Sequence, residues 1–180
     1  MSDDPSLANG APIPAPRRAV WARALGLLGA RDLSCDELSQ RLREKGFDDD
    51  AVAWALARLR AEGLVDDARF AEGVARQKLA HQARAKRAVT AALTRRGVDP
   101  SVAAAAVAEA QAEAGVDEKQ NAVRAAEKKL RSLRAEPPEQ QKKKLWAYLA
   151  RQGFDFDAVR HAVAAVLSAA DADDGSDPEP

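Results

Sequence analysis

The sequence predicts an all-α protein built from three tandem three-helix units. Apolar residues recur at helical spacing, and no stretch shows the period-two alternation of a strand. Alanine, the strongest helix former, is abundant throughout. A phrase of Leu, three residues, Gly, an apolar residue and Asp occurs three times, within LREKGFDD (42–49), LTRRGVDP (93–100) and LARQGFDF (149–156). A period of about fifty residues is typical of helical repeats, so we expect an elongated array.

Each copy of the phrase predicts a helix-turn-helix-like corner. The glycine stands where a helix ends in the left-handed conformation, and the aspartate two residues later stands at the N-cap of the next helix. Pro100 directly follows one of these aspartates and is favoured at a first helical position. The predicted corner residues are Gly46, Asp48, Gly97, Asp99, Gly153 and Asp155.

The remaining helices of each unit follow from further boundary signals. Ser34 and Glu37 have the spacing of a capping box. GLVDDARFA (63–71) and GVDEKQNA (115–122) each predict a helix end at the glycine and a new start at the aspartate. We therefore place the units at 17–63, 64–115 and 116–168. The repeated apolar positions predict a core that contains Leu38, Leu42, Leu56, Leu59, Val89, Leu93, Val107, Ala110, Leu145, Leu149, Val163 and Val166.

The two ends of the chain are predicted to be disordered tails. Four of the nine prolines fall in residues 1–16, and residues 169–180 are acidic and poor in large apolar groups. Neither end has enough apolar surface to offset the loss of chain entropy on folding.

Charge alternates along the chain although the total is zero. The net charge is +3 over 17–46, −4 over 47–67, +7 over 68–97, −5 over 98–118, +7 over 119–153 and −6 over 154–180. The first two helices of each unit are thus basic and the third is acidic. A stripe of basic helices would suit a polyanion, and an acidic face would suit a protein partner. The candidate phosphate-facing residues are Arg84, Lys86, Arg87, Arg95, Arg96, Lys128, Lys129, Lys142, Lys143 and Lys144.

Two other interpretations of the charges stay open. Alternating charge on helical surfaces keeps a protein soluble, so the array could be a plain scaffold. Alternatively, the chain could bind nucleic acid by itself, without a protein partner. Sequence-specific reading is disfavoured, because the second helix of the middle corner, PSVAAAAVAEAQAEAG, has no Arg or Lys to reach base edges.

The residues give no pattern of catalysis, of a metal or of a cofactor. His81 and His161 lack metal-binding spacing, and Cys35 has no nearby base, so we interpret the cysteine as structural. No glycine-rich phosphate loop occurs. The tryptophans and Phe70 lie on apolar helix faces and are predicted to be core. Without a signal peptide or membrane span, we expect a cytoplasmic non-enzyme.

Over residues 17–168 the chain resembles the RecX family of recombination regulators. SCDELSQRLREKGF, GLVDDARFA, AVTAALTRRGV, AEKKLRSL and LARQGFDFDAV carry the likeness in this order and spacing. The most specific piece is the DDxxFA phrase, with Asp66, Asp67, Phe70 and Ala71 as structural residues. The chain departs from the family at Ala85, where glycine is common, and has one extra residue between Phe70 and that point.

The resemblance implies a partner and an activity that the residues alone do not name. It implies that the chain binds the RecA recombinase on single-stranded DNA and lies along the groove of that filament. It also implies that the chain limits filament growth and restrains the ATPase, strand exchange and co-protease activities of RecA. The family carries no catalytic residues or cofactors. Separately, we expect the chain to be a monomer.

Overall fold

The computed structural model describes residues 10–115 and 117–174, and this part of the chain is helical without strands. Its α-helices form three consecutive groups of three. They are α1 (Arg18–Ala30), α2 (Cys35–Glu44), α3 (Asp49–Ala61), α4 (Asp67–Arg76), α5 (Lys86–Arg95), α6 (Pro100–Ala114), α7 (Glu118–Leu130), α8 (Pro138–Gln152) and α9 (Phe156–Asp174). Short 3-10 turns span Ala15–Arg17 and Arg131–Leu133. The predicted all-α class with three tandem three-helix groups is confirmed.

The corners join α2 to α3, α5 to α6 and α8 to α9. Their glycines have φ of +87° at Gly46, +80° at Gly97 and +92° at Gly153. The Oδ1 atoms of Asp48 and Asp155 accept backbone N–H groups in the first turn of the next helix, at 2.7 and 2.8 Å. At the middle corner, Oδ1 of Asp99 accepts the Ser101 backbone N–H at 2.8 Å, and Pro100 begins α6. Each bend is therefore fixed by a local stop signal and a local start signal.

By contacts, the described chain divides into two compact units rather than three. Unit 1 contains the described residues up to Gly73 together with Leu93–Ala103, and unit 2 contains Val74–Ala92 and the described residues from Ala104 onward. The middle group α4–α6 is thus divided between them. Its buried residues, among them Leu79, Val89 and Leu93, therefore belong to both units.

Unit 1 has its core between α1, α2 and α3. Val20, Ala24, Leu38, Leu42 and Leu59 are at most 1% exposed there. Of the predicted core residues, Leu56 is only partly buried, and it packs against the edge of this cluster. The boundaries of α2 are strongly specified, because Ser34 and Glu37 form the full capping box.

The N-terminal tail predicted for residues 1–16 is ordered at its inner end. The guanidinium of Arg58, which is 1% exposed, donates to the Ala11 carbonyl oxygen at 2.8 Å and to Glu62 at 2.6 Å. Ile13 packs against the unit 1 core. A buried arginine needs acceptors, and the prediction missed that this segment supplies one of them. Residues 1–9 of the predicted tail lie outside the described residues.

Unit 2 has its core between α7, α8 and α9. Leu145 and Leu149 of α8 are fully buried, and they lie in one cluster with Phe154, Val159 and Val163. Helix α9 continues to Asp174, six residues beyond the predicted end of the third unit at residue 168. Residues 175–180 of the predicted acidic tail lie outside the described residues.

A π-helical segment, Gln77–His81, follows α4 directly. A π-helical turn holds one residue more than an α-helical turn. The linker ends with Ala83 at a φ of +46° and Ala85 fully buried. The linker between α4 and α5 therefore combines a wide helical turn with one residue in the left-handed region.

Candidate nucleic-acid interface

Arg96, one of the ten candidate phosphate-facing residues, is part of the internal structure of unit 1. Its Nε and Nη2 atoms donate to the two carboxylate oxygens of Glu37 at 3.0 and 2.8 Å. Its guanidinium also lies over the ring of Phe70, 4.2 Å from the centroid. The side-chain hydroxyl of Ser34 donates to the Arg96 carbonyl oxygen. A side chain with this many internal partners is not available to a phosphate group.

Glu37 is held ionised by the same cluster. Burial acts to raise the pKa of Glu37, but the hydrogen bonds from Arg96 and from the Ser34 backbone N–H, with the charges of Arg96 and Arg31, outweigh it. The net result is a pKa below the ordinary value of a glutamate. The carboxylate therefore joins the end of α5 to the start of α2 within unit 1.

Four further candidates have protein partners in unit 2. Arg84 donates to Oε1 of Gln152 and is half-buried. Lys86 forms an ion pair with Glu118 at 3.3 Å, and Lys144 forms one with Glu136. Lys129 lies over the Tyr148 ring at 5.9 Å. Exposed ion pairs and cation–π contacts are worth about 0–1 kcal/mol, so Lys86, Lys129 and Lys144 can still be released to a phosphate.

Five candidates are exposed and make no hydrogen bond, ion pair or ring contact within residues 10–115 and 117–174. They are Arg87, Arg95, Lys128, Lys142 and Lys143. Arg95 lies at the end of α5 in unit 1. The other four lie on α5, α7 and α8 in unit 2, where α7 packs against α8. These five are the candidates whose charge is most available to a polyanion.

The DDxxFA phrase lies in unit 1 and makes internal contacts. Asp66 caps α4 by accepting the backbone N–H groups of Ala68 and Arg69. Asp67 accepts the backbone N–H of Cys35 at 2.8 Å and so caps α2 from another helix. The other two residues of the phrase, Phe70 and Ala71, are 8% and 0% exposed. The phrase thus supplies helix caps and buried side chains within unit 1.

The sequence reasoning did not single out a basic cleft between α1 and α2 of unit 1. It measures about 490 Å³, and four cations, Arg23, Arg31, Arg41 and Lys45, line it with Glu37 and Glu44. These cations stand apart in sequence, so no run of charge marked them. Helical spacing could have revealed part of the cleft, because Arg41 and Lys45 are four residues apart and therefore lie on one side of the C-terminal end of α2.

Cys35 shows no feature of a reactive thiol. Its side chain is buried, and burial with the nearby charge of Asp67 raises its pKa, although a hydrogen bond from Arg60 partly offsets the rise. Among the residues described, no group of three His, Cys, Asp or Glu side chains is arranged to hold a metal ion. Within the same residues, no helix combines the length and apolarity needed to span a membrane.

Three family models match consecutive parts of the chain. They describe the first, second and third three-helix domains of RecX, and they match residues 21–59, 66–107 and 117–163. The regulatory protein RecX of Chlorobaculum tepidum is 36% identical over 144 residues, which cover 80% of this chain and 86% of that protein. The regulatory protein RecX of Mycobacterium avium is 36% identical over 156 residues, which cover 86% of this chain and 89% of that protein.

Solved structures agree on the fold. The crystal structure of RecX from Lactobacillus salivarius superposes with a TM-score of 0.67 at 18% identity, and covers 82% of this chain and 94% of that one. A second crystal structure of a regulatory protein RecX gives a TM-score of 0.68 at 20% identity, over 80% of this chain and 71% of that one. By the match of all three domain models and the identity to these relatives, the chain belongs to the RecX family of regulatory proteins.

Proposed function

We propose that the chain binds the RecA–single-stranded DNA filament and modulates it, mainly by inhibiting ATP hydrolysis, strand exchange and co-protease activity. It would thereby regulate DNA repair and the response to DNA damage, acting in the cytoplasm as a monomer without catalysis of its own. The observation that carries the proposal is the family match, which extends over all three helical groups. A regulator that acts by binding its partner needs binding surfaces along its length and does not need an active site.

The charges of the described residues support a filament that contains a polyanion. The basic candidates without internal partners lie on α5, α7 and α8, which belong to the first two helices of the second and third groups. Of the third helices, α6 has no Lys or Arg, and α9 has only Arg160, which pairs with Asp157. Phosphate neutralisation by exposed lysine and arginine is independent of base sequence. Contact with DNA would therefore accompany binding to the protein of the filament without selecting a site.

The decisive experiment is a titration of RecA filaments on single-stranded DNA with the purified chain, with ATP hydrolysis and strand exchange as readouts. We expect both activities to fall at substoichiometric to stoichiometric amounts of the chain. If both stay unchanged across the titration while the chain alone binds DNA, the alternative applies and the chain is a sequence-independent nucleic-acid-binding protein that acts without RecA.

A charge-reversed variant tests the role of the exposed lysines in the same titration. Lys142→Glu/Lys143→Glu should shift the inhibition to higher protein concentration, because two cations without internal partners become two anions. Arg124→Glu/Arg151→Glu is the matched control, since it changes the net charge by the same amount at two other exposed positions of α7 and α8. Equal loss in the two variants would mean that total charge, and not these lysines, matters.

A further inference from the structure

Two aromatic side chains lie together at the surface of unit 2. The rings of Trp146 on α8 and Phe156 on α9 are 5.4 Å apart at their centroids and tilted by 52°. Trp146 is half-buried against the core, whereas Phe156 is 68% exposed, the most exposed of the large apolar side chains in the described residues. Packing in the core therefore explains the presence of an aromatic residue at position 146 only in part, and it does not explain the one at position 156.

The internal repeat shows that the fold does not require this aromatic pair. Counted from the corner glycine, Trp146 stands seven residues before it and Phe156 three residues after it. The equivalent pairs are Ser39 and Asp49 in the first repeat, and Thr90 and Pro100 in the second. The same corner thus forms with small or polar residues at these positions. An exposed phenylalanine at the start of α9 needs a reason outside the corner itself.

The charges beside the pair favour a polyanion. Lys142 and Lys143 precede Trp146 by four and three residues on α8, so they lie on its side of the helix, and both are exposed. Among the carboxylates near the pair, Glu139 is exposed one turn before the two lysines on α8, and the two that flank Phe156 have partners. Asp155 caps α9 through the Ala158 N–H, and Asp157 pairs with Arg160 at 3.2 Å. Two cations without internal partners therefore adjoin an exposed aromatic surface.

We infer that Trp146 and Phe156 form a stacking platform for the bases of single-stranded nucleic acid, whose phosphates Lys142 and Lys143 neutralise. An aromatic ring stacks on any base, and basic groups beside it hold the backbone, so the contact tolerates all sequences. The inference rests on the proposed function in that it assigns single-stranded DNA to one surface of unit 2. Its test needs no RecA, so the two can fail separately.

The test measures binding of the full chain to a labelled oligothymidylate at low salt by fluorescence anisotropy. The comparison ligand is an abasic oligonucleotide of the same length, which keeps the phosphates but has no bases. Phe156→Ala should weaken binding to oligothymidylate about tenfold and leave binding to the abasic strand unchanged. Phe156→Leu should behave like Phe156→Ala, and Phe156→Trp should bind like the wild type, because the ring and not apolarity is required.

Two further measurements control the result. Leu64→Ala removes a side chain that is 43% exposed in unit 1, and it should leave both affinities unchanged. Oligothymidylate should quench the tryptophan emission of the wild type, and Trp146→Phe should remove that quenching. The inference is overturned if the wild type does not bind oligothymidylate, or if Phe156→Ala and Phe156→Leu bind it normally. It is also overturned if Phe156→Ala lowers only the affinity for a RecA filament, which would make the pair a protein-docking surface.

Discussion

Two adjacent arginines at the end of α5 should have opposite phenotypes. Arg95 is exposed without an internal partner, whereas Arg96 makes two hydrogen bonds to Glu37 and lies over Phe70. We expect Arg96→Ala to destabilise the fold and Arg95→Ala to weaken nucleic-acid binding without destabilising the fold. The two variants remove the same charge from neighbouring positions, so each serves as the control for the other.

The size of the Arg96 effect follows from its surroundings. Breaking a buried pair costs about 3–5 kcal/mol, and an exposed pair is worth about 0–1 kcal/mol. The Arg96 and Glu37 side chains are 26% and 19% exposed, so the pair is intermediate between a buried and an exposed one. We therefore expect its loss to cost about 2 kcal/mol. The contact with Phe70 adds roughly 0.5–1 kcal/mol. Arg96→Ala should thus lower the free energy of unfolding by about 2–3 kcal/mol, and Arg95→Ala should change it by about 0.5 kcal/mol or less.

Urea unfolding followed by circular dichroism, with linear extrapolation to water, measures the free energy of unfolding for both variants. The double variant Arg96→Ala/Glu37→Ala should cost less than the sum of the single changes, because the two residues interact directly. The reasoning is refuted if Arg96→Ala is as stable as Arg95→Ala and loses more affinity for single-stranded DNA. Arg96 would then contact phosphate rather than Glu37.

Three further changes test other parts of the structure. Gly97→Ala should lower the melting temperature more than Gly46→Ala. Both changes place an alanine at positive φ, which costs about 1–2 kcal/mol of stability. At Gly97 the new Cβ would also lie 2.2 Å from the Cβ of Asp36, whereas at Gly46 it would meet open space. Equal losses would mean that Asp36 moves aside freely. The pKa of Glu37 is lowered in the fold, so its stabilisation is present above the unfolded pKa of about 4.3 and is lost as pH falls through the folded pKa. Glu37→Gln should therefore flatten the decline of the unfolding free energy below about pH 5, and an unchanged decline in urea titrations would assign it to other carboxylates. Burial raises the pKa of Cys35, so its thiol should react with a disulfide reagent far more slowly in the native chain than in urea, and fast native labelling at pH 8 would contradict the buried site.

Local signals made the helices and corners predictable from the sequence. Ser34 with Glu37 and the Gly46–Asp48 corner act within a few residues of themselves, so their geometry is encoded where it occurs. The candidate interface was less predictable, because its residues were chosen as runs of charge. Whether a cation is available depends on a distant partner, as when Arg96 meets Glu37 across 59 positions. The hydrogen bond from Arg58 to the Ala11 carbonyl oxygen was missed for the same reason, because the two residues are 47 positions apart in the sequence.

The departures between repeats are more informative about function than the repeat itself. Ten residues before the corner glycine stands Asp36 in the first repeat, Arg87 in the second and Lys143 in the third. In the first repeat this turn of helix serves the fold, since Glu37 completes the capping box and holds Arg96. In the third repeat the same turn has two exposed lysines, followed by the aromatic pair. A repeat unit supplies one stable corner three times, and the fold then constrains the surface positions of each copy only weakly. We therefore expect recognition of nucleic acid to be concentrated in the third group of helices, whereas the same turn of the first group stabilises unit 1.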